Sequence, residues 1–117
     1  MLISGFVVTG NFPKKVLVRG VGPTLAGQGV SGVLADPLLR IWKRSTEIAA
    51  NDNWMTDNAV AIDAAAMQVG AFPLDNLSRD AAILLTLVQG VYTAQVSGSG
   101  GTTGIALVEV YDVPEAP

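Results

Sequence analysis

The chain consists of short apolar runs separated by Gly, Pro, Asn and Asp. The runs are rich in Val, Leu, Ile and Ala, and several contain the β-branched and aromatic residues that are common in strands. Thirteen Gly and six Pro residues supply turns between the runs. This arrangement predicts an all-β protein made of many short strands.

The clearest strand signal is a strict alternation over residues 91–97. Tyr92, Ala94 and Val96 face one side of the predicted strand, and the polar residues between them face the other. Similar but weaker patterns bring the number of predicted strands to seven. They cover residues 3–9, 16–19, 38–44, 47–50, 81–87, 91–97 and 105–113.

A single short helix is predicted over residues 57–69. Asp57 is a suitable N-cap, and Gly70 can end the helix in the left-handed conformation. Residues 24–37 are rich in Gly and are predicted to form a loop. The helix prediction depends on apolar residues at helical spacing, namely Ile62, Ala65, Ala66 and Val69.

One helix cannot supply the crossovers that parallel strands need, so the strands are expected to pair antiparallel. We therefore predict an antiparallel β-sandwich of jelly-roll or immunoglobulin-like type, with about seven strands and one short inserted helix. With 117 residues, the chain fits one domain, which we expect to span residues 1–113. Residues 114–117 are predicted to be a linker stub.

The composition argues against several classes of function. The chain has no Cys and no His, and these residues supply most nucleophiles, general bases and transition-metal ligands. We therefore predict that it is not an enzyme. The net charge is −3 and the seven basic residues are scattered, which argues against nucleic-acid binding. No apolar run approaches the length of a membrane span, so we expect no membrane insertion.

The best candidate for a metal site is the oxygen-rich segment that precedes the predicted helix. Calcium prefers carboxylate, amide and carbonyl oxygens, and it would be the only cofactor we expect. The same residue types also form ordinary turns through local backbone hydrogen bonds, and this interpretation stays open. The candidate ligands are Asn51, Asp52, Asn53 and Asp57.

Trp42 and Trp54 are the candidate ligand or interface residues. Exposed, they would stack on sugar rings, as aromatic residues do in glycan-binding sandwiches. Buried, they would be large anchors of the core or of an interface. Trp42 lies on the predicted strand face opposite Leu39 and Ile41, while Trp54 is expected to cap the core beside the helix.

Residues 20–27 superficially suggest a phosphate-binding loop, because Gly20 and Gly22 are followed by Thr24. Such a loop needs free backbone N–H groups at a helix N-terminus and usually a following Lys. Pro23 removes one N–H, and no Lys follows. We therefore predict a bend that the glycines permit.

Longer segments of the chain resemble two known families. Residues 36–42, 48–53 and 89–98 resemble bacterial pre-peptidase C-terminal domains, which are secreted β-sandwiches. A closer resemblance covers nearly the whole chain. Residues 13–19, 21–25, 51–54 and 101–112 are similar to a unit that recurs in tandem within very large exported proteins of verrucomicrobia-like environmental bacteria.

This resemblance implies an extracellular or cell-surface location and a structural or adhesive role, as a repeat unit or subunit of a surface fibre or stalk. The expected partners are copies of the chain itself or neighbouring repeat units. The alternative is a glycan-binding accessory domain of a secreted protein. In proteins of this kind a short strand-like segment, often reading Ile-Ser-Thr-Arg-Gly, lies between units, so we expect an open sheet edge that a neighbour fills by strand addition.

Overall fold

The structure is a computed structural model, and it describes residues 1–114. Of the predicted linker stub at residues 114–117, residues 115–117 lie outside the described residues. The Pro114 carbonyl accepts a hydrogen bond from Gln68 Nε2 at 2.8 Å. The elements are β1 (Leu2–Val8), β2 (Lys14–Val21), α1 (Pro23–Ala26), β3 (Pro37–Lys43), β4 (Thr46–Asn51), α2 (Ala59–Val69), β5 (Ala81–Leu87), β6 (Gly90–Gly98) and β7 (Leu107–Val113), with single 3₁₀ turns at Trp54–Thr56 and Ser99–Gly101.

The seven strands form two antiparallel sheets. The four-stranded sheet has the order β1-β6-β3-β4 and the three-stranded sheet has the order β5-β2-β7. In residues 1–114 only the β3–β4 hairpin joins neighbours within one sheet, and the other connections cross between the sheets. The predicted all-β sandwich with seven strands and one inserted helix is confirmed.

The main core lies between the two sheets and follows the period-two pattern of the strands. Tyr92, Ala94 and Val96 of β6 are buried there, as the alternation predicts. Leu39 and Ile41 of β3 have no exposed surface. Fully burying an aliphatic side chain of this size contributes about 1.5–3 kcal/mol, so this layer supplies much of the stability.

A second core lies on the outer face of the three-stranded sheet. Leu17 and Val21 of β2 point away from the first core and pack beneath α2. The helix contributes Ile62 and Ala65 to this layer, and Trp54 is buried beside them. Strand β2 is therefore buried on both faces, which explains its nearly continuous apolar sequence.

The helix ends as predicted but begins differently. Gly70 adopts the left-handed conformation, with φ of 74°, and closes α2. The predicted N-cap, Asp57, is wrong, because Asn58 holds the cap position and no side chain caps the helix. The Asp57 carboxylate instead accepts a hydrogen bond from Asn51 Nδ2 at 3.0 Å.

The Gly-rich segment after β2 contains a feature that the predicted loop lacked. One helical turn, α1, begins at Pro23, and the backbone N–H groups of Gly22 and Thr24 both point to the Asp80 carboxylate, at 2.8 and 3.2 Å. The turn thus binds an anion, but that anion is the protein's own side chain. A Cβ on Gly22 would overlap the Leu34 carbonyl oxygen, so only glycine fits there.

Asp80 is fully buried and joins three segments of the chain. Besides the two N–H groups, its carboxylate accepts hydrogen bonds from the hydroxyls of Thr24 and Ser78, each at 2.5 Å. Its own carbonyl accepts the Trp54 N–H at 2.8 Å. A buried carboxylate needs several donors to offset its lost hydration, and these contacts provide them.

A second buried charge lies on the helix-facing side of the three-stranded sheet. Arg19 has no exposed surface, and its Nε donates to Glu109 Oε1 at 2.8 Å. Nη2 lies 2.8 Å from the same oxygen, as an ion pair without hydrogen-bond geometry. Nη1 donates to the Phe72 carbonyl at 2.7 Å, and the guanidinium lies over the Phe72 ring. Tyr111 donates its hydroxyl to Glu109 Oε2 at 2.5 Å.

Removing the Asp80 carboxylate should strongly destabilise the fold. In Asp80→Ala, four donors lose their acceptor in the interior, so the free energy of unfolding should fall by about 2–4 kcal/mol, measured by urea denaturation. Asp63→Ala on the exposed side of α2 is the matched control and should change it by less than about 0.5 kcal/mol. Equal losses in the two variants would contradict the role given to Asp80.

Tyr111 should make stability fall at high pH. Burial raises the pKa of Tyr111 from 10.0 to about 12, and the hydrogen bond to Glu109 and the negative charge of Glu109 act in the same direction. Between these values the unfolded state loses the phenol proton while the folded state keeps it, so the stabilisation present below pH 10 is lost as the pH rises to 12. Unfolding free energies of the unmodified chain and of Tyr111→Phe should converge over that window. A constant difference would show that Tyr111 does not titrate as described.

Candidate functional site

Each sheet has two edges, and an exposed edge carries unpaired backbone N–H and C=O groups that can pair with another strand. Natural proteins protect such edges with charged residues, Pro, bulges or covering segments. The edges here are β1 and β4 in the four-stranded sheet and β5 and β7 in the three-stranded sheet. The four edge strands differ in how well they are protected from pairing with a partner strand.

Strand β4 is protected by charge and by an irregularity. Glu47 lies on this strand and forms an ion pair with Arg40, at 3.2 Å from Nε to Oε1. The pairing register shifts between Ile41 and Trp42, which marks a bulge or irregularity in the β3–β4 ladder. A distorted, charged edge is a poor template for a further strand.

The start of strand β5 is covered by the end of β4 and by the segment that follows it. The Asn51 Oδ1 atom accepts the Ala82 N–H at 3.1 Å, and Trp54 N–H donates to the Asp80 carbonyl just before the strand. These bonds occupy backbone groups that would otherwise be free. Strand β7 is protected differently, by Glu109 and Asp112, the second of which lies 3.7 Å from Lys14 Nζ.

Strand β1 has none of these protections. It contains no charged residue and no Pro, and its register to β6 is continuous from Leu2 opposite Val96 to Val8 opposite Gly90. Ile3 and Val7 on its outer face are 56% and 64% exposed. In the part of the chain that the structure describes, no strand pairs with the other side of β1. It is a seven-residue, uncharged, regular edge strand.

The core is also incompletely covered beside β1. Phe6 stacks on buried Tyr92, with ring centroids 5.5 Å apart, but is itself only half-buried. Val110 of β7 is likewise only partly buried against the core. A cleft of about 330 Å³ lies between these two strands, and a second of about 320 Å³ lies at the opposite end of β1, beside Leu2 and Ile105. The seam between β1 and β7 therefore exposes core side chains.

The predicted calcium ligands are brought together, but they mainly bond to one another and to the backbone. Asn51 is buried and donates to the Asn53 carbonyl at 3.1 Å as well as to Asp57. Asn53 donates to Asp52 Oδ1 at 3.3 Å. In residues 1–114 no three Asp, Glu, His or Cys side chains form a group suited to a metal ion. The turn interpretation describes these contacts well, and calcium binding stays a prediction.

The two Trp residues occupy different environments. Trp54 is 1% exposed and donates its Nε1 hydrogen to the Asp75 carbonyl at 3.2 Å, so it takes the core role that was one of its two predicted roles. Its ring offers no surface on which a sugar could stack. Trp42 is half-buried on the outer face of the four-stranded sheet, and its Nε1 has no hydrogen-bond partner among the described residues.

Comparisons of the chain with family models, with curated proteins and with solved structures found no match in any of the three. The resemblance to tandem units of exported proteins therefore stays a prediction. The longest helix of residues 1–114 is α2, with eleven residues, and no helix there is long and apolar enough to cross a bilayer.

The sequence contained a signal for the open edge. Residues 2–8 carry no charge and no Pro, which is unusual for a strand that lies at an edge. That signal could be interpreted only once the strand order was known, because the same composition suits a central strand. The structural roles of Asn51, which was predicted only as a calcium ligand, and of Asp80 were missed for a similar reason, since their main partners lie 31 and more than 50 residues away.

Asn51 should act as a structural bridge whether or not calcium is present. In Asn51→Ala the buried Ala82 N–H loses its acceptor, so the free energy of unfolding should fall by about 1–3 kcal/mol. The loss should be the same in calcium and in chelator, because the Asn51 amide oxygen already accepts a hydrogen bond. Asn53→Ala is the matched control. A loss that appears only in calcium would instead identify Asn51 as a calcium ligand.

Proposed function

We propose that the chain is a non-catalytic structural module of the cell exterior, a repeat unit or subunit of a surface fibre or stalk. It joins its neighbours by strand addition at β1. The observation that carries this proposal is the contrast between β1 and the other three edges. Only β1, among the edges in residues 1–114, combines a regular register with a complete lack of charge, covering segment and bulge.

Strand addition suits the chemistry of this edge. An added strand would pair with the unpaired backbone groups of β1, and its alternate side chains would enter the seam. There they would cover Phe6 and Val110, whose burial by the chain itself is incomplete. The binding free energy would come from backbone hydrogen bonds and from apolar burial. Apolar burial contributes about 25 cal/mol for each Å² of apolar surface removed from water.

The non-catalytic part of the proposal rests on the residues available. The chain has no His and no Cys, and Asp80 and Glu109 are held in structural hydrogen bonds. The glycan-binding alternative gains no support from Trp54, whose ring is buried. Of the two predicted Trp residues, only Trp42, which is half-buried, could then contact a sugar.

A peptide that represents a neighbour's strand provides the test. A fluorescently labelled peptide containing Ile-Ser-Thr-Arg-Gly should bind saturably, as measured by anisotropy, and should shift the backbone amide resonances of Ser4, Gly5 and Phe6. The protein is kept dilute, so that self-association does not compete. The same peptide with its central residue replaced by Pro is the control and should bind at least about tenfold more weakly, because Pro cannot complete the ladder.

Absence of binding, or resonance shifts confined to β4 or to the loops, would contradict strand addition at β1. Binding of a soluble oligosaccharide with shifts centred on the Trp42 indole resonance would favour the glycan-binding alternative instead.

A further inference from the structure

We propose that β1 also pairs with β1 of a second copy of this chain, antiparallel and around a two-fold axis at Gly5. The inference rests on the proposed function of the β1 edge and names one specific partner for it.

The sequence of β1 is complementary to itself in this register. On the outer face, Ile3 lies opposite Val7 of the second copy, and the two-fold axis repeats that pair on the other side of Gly5. On the core-facing side, Leu2 lies opposite Val8 of the second copy. Every large side chain except Phe6 therefore meets an aliphatic one, and Phe6 meets small Ser4. Apolar and β-branched cross-strand pairs of this kind stabilise sheets.

Lack of charge is what allows this strand to pair with itself. In the pairing centred on Gly5, a charge at any other position of β1 would lie opposite an uncharged side chain of the second copy, and a charge at the axis would lie opposite its own equivalent, so either arrangement would be unfavourable. None of the seven residues of β1 is charged. Strands β4 and β7 carry Glu47, Glu109 and Asp112, so pairing β1 with either of them would place a carboxylate at the new seam.

Gly5 lies at the two-fold axis of the proposed pairing. A glycine inside a strand lowers stability, so it usually has a structural reason such as a bulge, a positive φ or a neighbouring backbone. Gly5 has no positive φ, and the register shows no bulge. A Cβ there would lie 3.9 Å from the Tyr92 carbonyl oxygen, an ordinary contact. The described contacts therefore show no steric need for this glycine within the chain's own fold. In the pairing, Gly5 of one copy faces Gly5 of the other at the axis, so no side chain lies between the two Ile3–Val7 pairs.

The pairing is isologous, so it closes at two copies and does not propagate into a filament. In a protein that contains several such modules, it would join two chains side by side. The end-to-end arrangement of modules would then come from the covalent chain, or from a neighbour's strand added to modules whose β1 is not paired with a second copy. The two uses of β1 are mutually exclusive on one module, because a single edge accepts a single strand.

Sedimentation velocity over a concentration series tests the pairing. The unmodified chain should show a monomer–dimer equilibrium. Ile3→Lys/Val7→Lys places Lys opposite Lys in both symmetric pairs and should weaken dimerisation by at least about tenfold. Val60→Lys/Met67→Lys on α2 adds the same charge at side chains that are 82% and 83% exposed, and it should leave the dimer unchanged.

The charge-swapped variant tests the register. Ile3→Lys/Val7→Glu places the introduced lysine of each copy opposite the introduced glutamate of the other. It should therefore dimerise at least about tenfold more tightly than the double-Lys variant. If both variants are equally monomeric while the unmodified chain dimerises, the Gly5-centred register is wrong. Circular dichroism melts confirm that all variants are folded.

The outcomes also separate this inference from the proposed function. If the chain stays monomeric at every concentration but the strand peptide still binds at β1, self-pairing is overturned and the proposed function stands. If the chain stays monomeric and the peptide does not bind, both fail. A dimer that the double-Lys variant leaves intact would overturn self-pairing through β1.

Discussion

The buried carboxylate of Asp80 holds together the part of the molecule that lies outside the two sheets. It binds the turn that follows β2 through Gly22 and Thr24, and its backbone carbonyl fixes Trp54. Thr24 extends the network, because its hydroxyl accepts the Asp75 N–H at 2.9 Å. Trp54 in turn stands beside α2 in the outer core. Without this carboxylate, the turn after β2 and the Ser78 segment would lose the acceptor that they share.

This network makes the sandwich asymmetric. The three-stranded sheet is covered on its outer face by α2 and the loops, and its β5 edge is covered by Asn51. The four-stranded sheet has no such layer over β1 among the described residues, and its β1 edge remains regular and apolar. The buried polar groups therefore lie in the three-stranded sheet or bond to it and to the segments beside it, while the β1 edge of the other sheet stays available. In our account, that asymmetry creates the binding edge.

Sequence patterns predicted the parts of this structure that depend on near neighbours. The alternation around Tyr92 placed β6 and its core face, and Gly70 marked the end of the helix. They failed where a side chain's partner lies outside the local pattern. Asp57 looked like an N-cap, but its carboxylate accepts a hydrogen bond from Asn51, six residues earlier. The predicted bend is present at Gly22, but its bond to Asp80, 58 residues away, was not predicted. Strand order also depends on contacts between distant residues. An open sheet edge could therefore be predicted from the sequence, but it could not be assigned to β1.

The most direct test of the account is amide hydrogen exchange of the unmodified chain, residue by residue, at low and at high protein concentration. Slow exchange requires a hydrogen bond, so a strand that gains a partner becomes protected. We expect the outward N–H groups of β1 to exchange quickly in the dilute sample and at least about tenfold more slowly in the concentrated one, with β4 unchanged. Rapid exchange of those β1 groups at both concentrations would contradict self-pairing at this edge, and protection of β4 instead would move the interface to the opposite side of the sheet.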